Sequence, residues 1–187
     1  MFARWRMEAG FVTFAPAARY PEEIMSGDDE VDLLVDAWTD RIPDVDFTPL
    51  DVRSRLRRVA LRLNELRAVA FRSAELTSWE FDVLAALRRA VPPHELSPME
   101  LSRATMVGTA AMTNRLENLA ERGLIVRKPN PKDGRSNLAQ LTPAGMTRVD
   151  TAMIELVRLE ADDLQRLTAP QRAQLASLLR LLGDAPA

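Results

Sequence analysis

Two groups of side chains in this sequence could handle an anion. The first flanks a turn. In Asn130-Pro131-Lys132-Asp133-Gly134-Arg135 the residue types favour a sharp reversal, and Lys132 and Arg135 stand on either side of it with no packing duty. Cations at such a tip suit phosphates or the narrow groove of a duplex. The second centres on Arg115. A helical wheel of residues 109–122 gathers Met112, Leu116 and Leu119 on one side and Ala110, Thr113, Asn114 and Glu117 on the other. Arg115 flanks the apolar side, where an unpaired cation is costly. Its partner could be Asp82, Glu117, Glu121 or a ligand anion, so a structural salt bridge and a binding site both fit.

Composition excludes more than it assigns. There is no cysteine among the 187 residues, which removes disulfides, thiol redox chemistry and thiolate metal sites. The single histidine, His94, follows Pro92-Pro93 and reads as a solvent-exposed loop residue. The sequence offers no Ser/His/Asp set, glycine-rich phosphate loop, metal cluster or paired catalytic carboxylates, so neither an enzyme nor a bound cofactor or metal is expected. No apolar run reaches the roughly 18 residues of a membrane span, and a cytoplasmic protein is expected. The chain carries a net charge of −2, but Ser97–Thr142 holds seven cations against four anions. A basic module on an acidic body is one footprint of nucleic-acid binding.

The elements that must position these residues are mostly helical. Residues 1–27 read as a poorly ordered leader. Val31, Leu34, Val35 and Trp38 make an amphipathic helix within 28–39. Thr48-Pro49-Leu50-Asp51, with Thr48 as N-cap, opens a long helix at 48–75. Its Val52, Leu56, Val59, Leu63, Leu66 and Ala70 repeat every 3.5 residues on average, a seam suited to another long helix. Thr77-x-x-Glu80 and Ser97-x-x-Glu100 are capping boxes for the next two helices. Val107-Gly108 makes a tight turn before the helix that carries Arg115, and Gly123 stops that helix. Leu124–Lys128 and Asn137–Leu141 read as two strands around the basic turn. Thr142-Pro143 caps a helix to about Leu167, and Thr168-x-x-Gln171 a last one with Leu175, Leu178, Leu179 and Leu182. The fold class is mainly α with a small two-stranded β-wing. Short helix, turn, second helix and hairpin over 76–142 form a winged helix-turn-helix, flanked by long helices at 48–75 and 143–187.

Leu76–Thr142 resembles the MarR family of bacterial regulators. The resemblance rests on Asp133-Gly134-Arg135 in the wing, Leu119–Ile125 and Leu141-Thr142-Pro143-Ala144-Gly145, and it covers about 140 residues with the flanking helices. It implies a homodimer, joined through the first long helix and the last two, on a palindromic double-stranded operator. Expected DNA contacts on the reading helix are Thr109, Ala110, Thr113 and Asn114. Ser97 is expected to add a contact at the preceding helix start, and Lys132, Arg135 and Ser136 in the wing.

A narrower resemblance is to the urate-responsive, HucR/PecS-like branch of that family. It rests on the extra N-terminal helix ending in Trp38, on Trp79-Glu80-Phe81-Asp82, and on Met112-Thr113-Asn114-Arg115. The branch's four marker positions hold Trp38, Asp82, Arg115 and Arg127. The resemblance implies a repressor released by urate or a related purine, with Trp38 and Arg115 toward the ligand and Asp82–Arg127 as a pair that transmits the change. A purely structural role fits each of the four. A phenolic or other small anion as ligand, or a winged-helix module used for protein contacts, remain the alternatives.

Overall fold

A computed structural model describes residues 29–131 and 133–183, with the side chains of 133–136 left undescribed. The expected leader lies outside the described residues. The chain divides into two compact units at Arg62/Leu63.

The first unit holds α1 (Glu30–Arg41) and the start of α2 (Thr48–Ser73). Asp29 caps α1 by accepting from the N–H groups of Val31 and Asp32, while the Asp32 carboxylate accepts from the Asp29 N–H. The apolar stripe is graded: Val31 is buried, Leu34 and Val35 are half-buried, and Trp38 is 48% exposed and stacked on Phe47 with centroids 6.1 Å apart. Arg55 of α2 ties the helices together by donating to Asp29 and Asp32. At the start of α2 the expected cap is displaced. Thr48 is the first helical residue, and the Asp46 carboxylate accepts its N–H at 2.9 Å.

The second unit carries the core. α3 (Ser78–Arg89), α4 (Pro98–Thr105) and α5 (Thr109–Glu121) are followed by β2 (Ile125–Asn130) and β3 (Asp133–Leu141). Then come α6 (Pro143–Asp163), a 3-10 turn at Leu164–Arg166, and α7 (Ala169–Gly183). Phe71 at the end of α2 stacks on Phe81 with centroids 4.0 Å apart. Leu84, Leu87, Leu101, Met112, Leu116 and Leu119 close around them, with Val149 and Leu156 of α6. The helix expected to reach Leu167 ends instead at Asp163, where the 3-10 turn takes over.

The wing departs from the expected pair of strands in two respects. The returning strand begins at Asp133 rather than Asn137, so the reversal at Asn130–Asp133 is tighter. A third strand, β1 (Glu95–Leu96), pairs antiparallel with β3, giving the order β1-β3-β2. This leaves β2 at an edge, where Pro129 removes no interior ladder bond. The β1 loop also corrects the expectation for His94, which is half-buried. Its Nδ1 lies 2.8 Å from the Ala90 carbonyl, its Nε2 is 3.4 Å from Arg88, and its own carbonyl accepts from Leu141 N–H.

Candidate nucleic-acid interface and anion site

α4 and α5 are set by their ends. Ser97 and Glu100 form the reciprocal box that starts α4, with the Ser97 hydroxyl donating to Glu100 at 2.7 Å. Much of the hydrogen-bonding capacity of Ser97 is therefore already used in the fold. α4 ends on Met106 at φ +53, a left-handed cap carried by a methionine that is 95% exposed. Gly108 then caps α5, which stops before Gly123 at φ +69. Met112, Leu116 and Leu119 are buried, which fixes the rotation of α5. Thr109, Ala110, Thr113 and Asn114 are consequently exposed together. The Asn114 side chain has no hydrogen-bond partner among the described residues; only its backbone carbonyl is used, by Asn118. An unoccupied amide on a small-residue helix face is suited to a base edge in a major groove.

The backbone of β3 carries Arg135 and Ser136 beside the turn. Lys132, and the side chains of Arg135 and Ser136, lie outside the described residues. Val126, Arg127 and Lys128 on β2 are exposed.

The sensing candidates are placed differently from one another. Arg115 is half-buried, and its guanidinium lies 5.4 Å from the centroid of the Trp79 ring. Among the described residues it has no carboxylate partner, so Asp82, Glu117 and Glu121 do not fill that role. Asp82 accepts from Arg67 at 2.9 Å, and Arg67 is also over the rings of Phe71 and Phe81 at 5.0 and 5.8 Å. Arg127 stands 3.9 Å from Glu117. The expected Asp82–Arg127 pair is thus not formed. The chain's own α2 supplies a nearer cation, held against the two phenyl rings. Trp38 belongs to the first unit and is described there.

Three residues of the second unit make contacts that local sequence signals do not predict. Arg67 and Trp79 have just been placed. The third is Glu80, which is 3% exposed. Its carboxylate accepts from the Thr77 N–H and hydroxyl and from Arg122, whose guanidinium also donates to the Glu75 carbonyl. The start of α3 is thereby bound to the end of α5. The capping box marked Glu80 in the sequence; the 42-residue reach to Arg122 had no local signal.

Burial pushes the Glu80 carboxyl up, but the Thr77 N–H, Arg122 and the Thr77 hydroxyl outweigh it and hold the group below the usual carboxylate range. A carboxyl lowered by folding stabilises the fold above the unfolded value, near 4.3, and loses that contribution as pH falls through the folded value. Glu80→Gln should therefore cost about 1–3 kcal/mol at neutral pH and reduce the stability lost on acidification. Urea unfolding at pH 7 and below pH 4 checks this. Equal acid sensitivity in the two proteins would assign the acid limb to other groups.

Comparison with known proteins agrees with this geometry. The MarR family model matches residues 74–136. The HTH-type transcriptional regulator PecS of Dickeya dadantii is 33% identical over 150 residues, covering 80% of this chain and 90% of that protein. A MarR mutant of E. coli, solved with operator DNA, superposes with a TM-score of 0.63 at 27% identity, over 76% of this chain and 100% of its own. BpsR of Bordetella bronchiseptica, solved to explain control of its DNA binding by 6-hydroxynicotinic acid, gives 0.62 at 27% identity, over 72% and 94%. With its recognition helix, wing and flanking helices in this order, the chain belongs to the MarR family of winged-helix DNA-binding transcription regulators, which are not enzymes.

Proposed function

We propose that this chain is a homodimeric cytoplasmic repressor, released from a palindromic operator by a small planar anion, with urate or a related purine as the favoured ligand. The observation that carries the ligand reading is Arg115. It is a half-buried guanidinium without a carboxylate partner among the described residues, on the helix whose exposed face presents Thr113 and Asn114. Arg127, whose ion pair with Glu117 is long at 3.9 Å, is a second cation proposed to meet a ligand. Trp38 keeps its proposed role as a ring contact, and its 48% exposure is compatible with that. Asp82 acts through its hold on Arg67. Similarity to PecS supports the urate branch. BpsR, named with an aromatic acid effector, supports the second reading, a pyridine or phenolic acid in place of a purine.

Dimerisation is supported by apolar stripes left uncovered in the single chain. Leu175, Leu178, Leu179 and Leu182 of α7 are 42–52% exposed, and Val52, Leu56 and Val59 of α2 are 37–50% exposed. Stripes at these spacings are suited to a second copy. In such a dimer the two recognition helices must meet half-sites about 34–36 Å apart. A small displacement of each α5 by an anion on Arg115 then weakens both contacts. A useful response needs the ligand to favour the released state by about 1–3 kcal/mol.

Titrating urate into an operator complex on a native gel tests the reading. Release is expected, and unchanged DNA affinity at millimolar urate would remove the ligand while leaving the regulator. On the same operator, Asn114→Ala should cost about 1–3 kcal/mol of specific binding and little of non-specific binding. A loss of equal size on random duplex would reassign Asn114 to the backbone.

A further inference from the structure

We propose that Trp79 is the aromatic seat of the anion site: it holds the Arg115 guanidinium by its face and leaves the N–H edge free for the ligand. This rests on the ligand reading above. The Arg115 guanidinium carbon lies over the Trp79 ring, 5.4 Å from its centroid. A guanidinium has two kinds of surface. Its faces attract a π-cloud, and its rim carries five N–H donors in a fork that matches a carboxylate-like anion. A cation over an indole ring is held through its charge and keeps the donors on its far side, whereas a salt bridge with Asp or Glu uses the donors themselves.

The surroundings keep Arg115 in the first condition. Asp82 follows Trp79 by three residues on α3, so the two lie on neighbouring parts of one helix face. The Asp82 carboxylate is occupied by Arg67 at 2.9 Å. Glu117 approaches Arg127. Trp79 is itself half-buried and packed against the core, so the ring is fixed. The result is a positioned cation that meets no carboxylate among the described residues, beside a flat aromatic wall. That combination selects a planar organic anion, which meets the donors with its oxygens and the wall with its ring, over a compact one such as phosphate.

Without the ring, Arg115 loses its support and turns toward a carboxylate, so the anion must first displace a salt bridge. Urate binding to the full-length protein, measured by isothermal titration calorimetry, tests this. The variants are Trp79→Met, Trp79→Leu and Trp79→Phe, with melting temperature to confirm folding. Trp79→Met fills space without a π-face, and Trp79→Leu replaces it if only one of the two folds. The expected result is urate affinity reduced about fivefold or more in the folded aliphatic variant and restored to within about twofold by Trp79→Phe. Aliphatic and Phe variants that lose equally would show a packing role and overturn the proposal. So would an aliphatic variant that binds like the unsubstituted protein. If the unsubstituted protein binds no urate, the ligand reading fails and Trp79 falls with it.

Discussion

Arg115→Gln is expected to abolish release by urate while DNA binding largely persists. Gln keeps a polar side chain of helix-compatible shape but removes the positive charge and the paired donors. A hydrogen bond to a charged group contributes about 1.5–3 kcal/mol, so ligand affinity should fall roughly 10- to 100-fold. DNA binding should survive because Thr109, Thr113 and Asn114 form the exposed face of α5 and Arg115 does not share it. The fold should survive because Arg115 balances no carboxylate among the described residues, so its neutralisation strands no buried charge there. Gel shifts with and without urate give both readouts at once. Retained release in the variant would transfer the anion to Arg127 or to another site.

Gly145→Ala is expected to be the most destabilising single methyl in the described chain. Gly145 lies in the first turn of α6, where its N–H donates to the Thr142 hydroxyl. A Cβ built there would fall inside the Leu124 carbonyl oxygen, with the Leu141 side chain at 3.0 Å. The obstructing atom is backbone, and the Leu124 carbonyl also accepts from Thr142 N–H and from its hydroxyl, so it cannot swing away cheaply. Overpacking usually costs about 1–3 kcal/mol, and a clash with anchored backbone belongs at or beyond the upper end. Thermal unfolding should show a large drop in midpoint. Because Leu124 leads into the wing, the variant should also weaken DNA binding. An unchanged midpoint would contradict this close approach of α6 to the wing.

Local signals account for what was legible. The Glu80, Glu100 and Gln171 boxes and the Thr142 cap each span three or four residues, and each forms where the spacing places it. The rotation of α5 followed from its apolar period, which is why Asn114 outward and Arg115 at the margin were readable. Pairings between elements were not. Arg67–Asp82 depends on the approach of α2 and α3, fixed by the Phe71–Phe81 stack. A two-residue β1 has no period to detect and exists because β3 offers an edge. His94 reads as exposed because its neighbours are prolines; the contacts of its ring with the Ala90 carbonyl and Arg88, and the Leu141 N–H on its carbonyl, are made by other elements that the local sequence does not reveal. The apolar stripe on α7 is legible from its spacing, and Leu175, Leu178, Leu179 and Leu182 are exposed in the single chain.

The central claim is that this module binds duplex DNA through phosphates and base edges. Fluorescence anisotropy with a palindromic duplex from the chain's own upstream region, titrated from about 50 to 200 mM salt, tests it most directly. Saturable binding by a dimer is expected, with an affinity that falls steeply, by about a thousandfold or more if six phosphates are neutralised, and weaker binding to a random duplex. Absence of binding at the lowest salt, or an affinity that does not change with salt, would contradict it and leave a winged helix used for protein contacts.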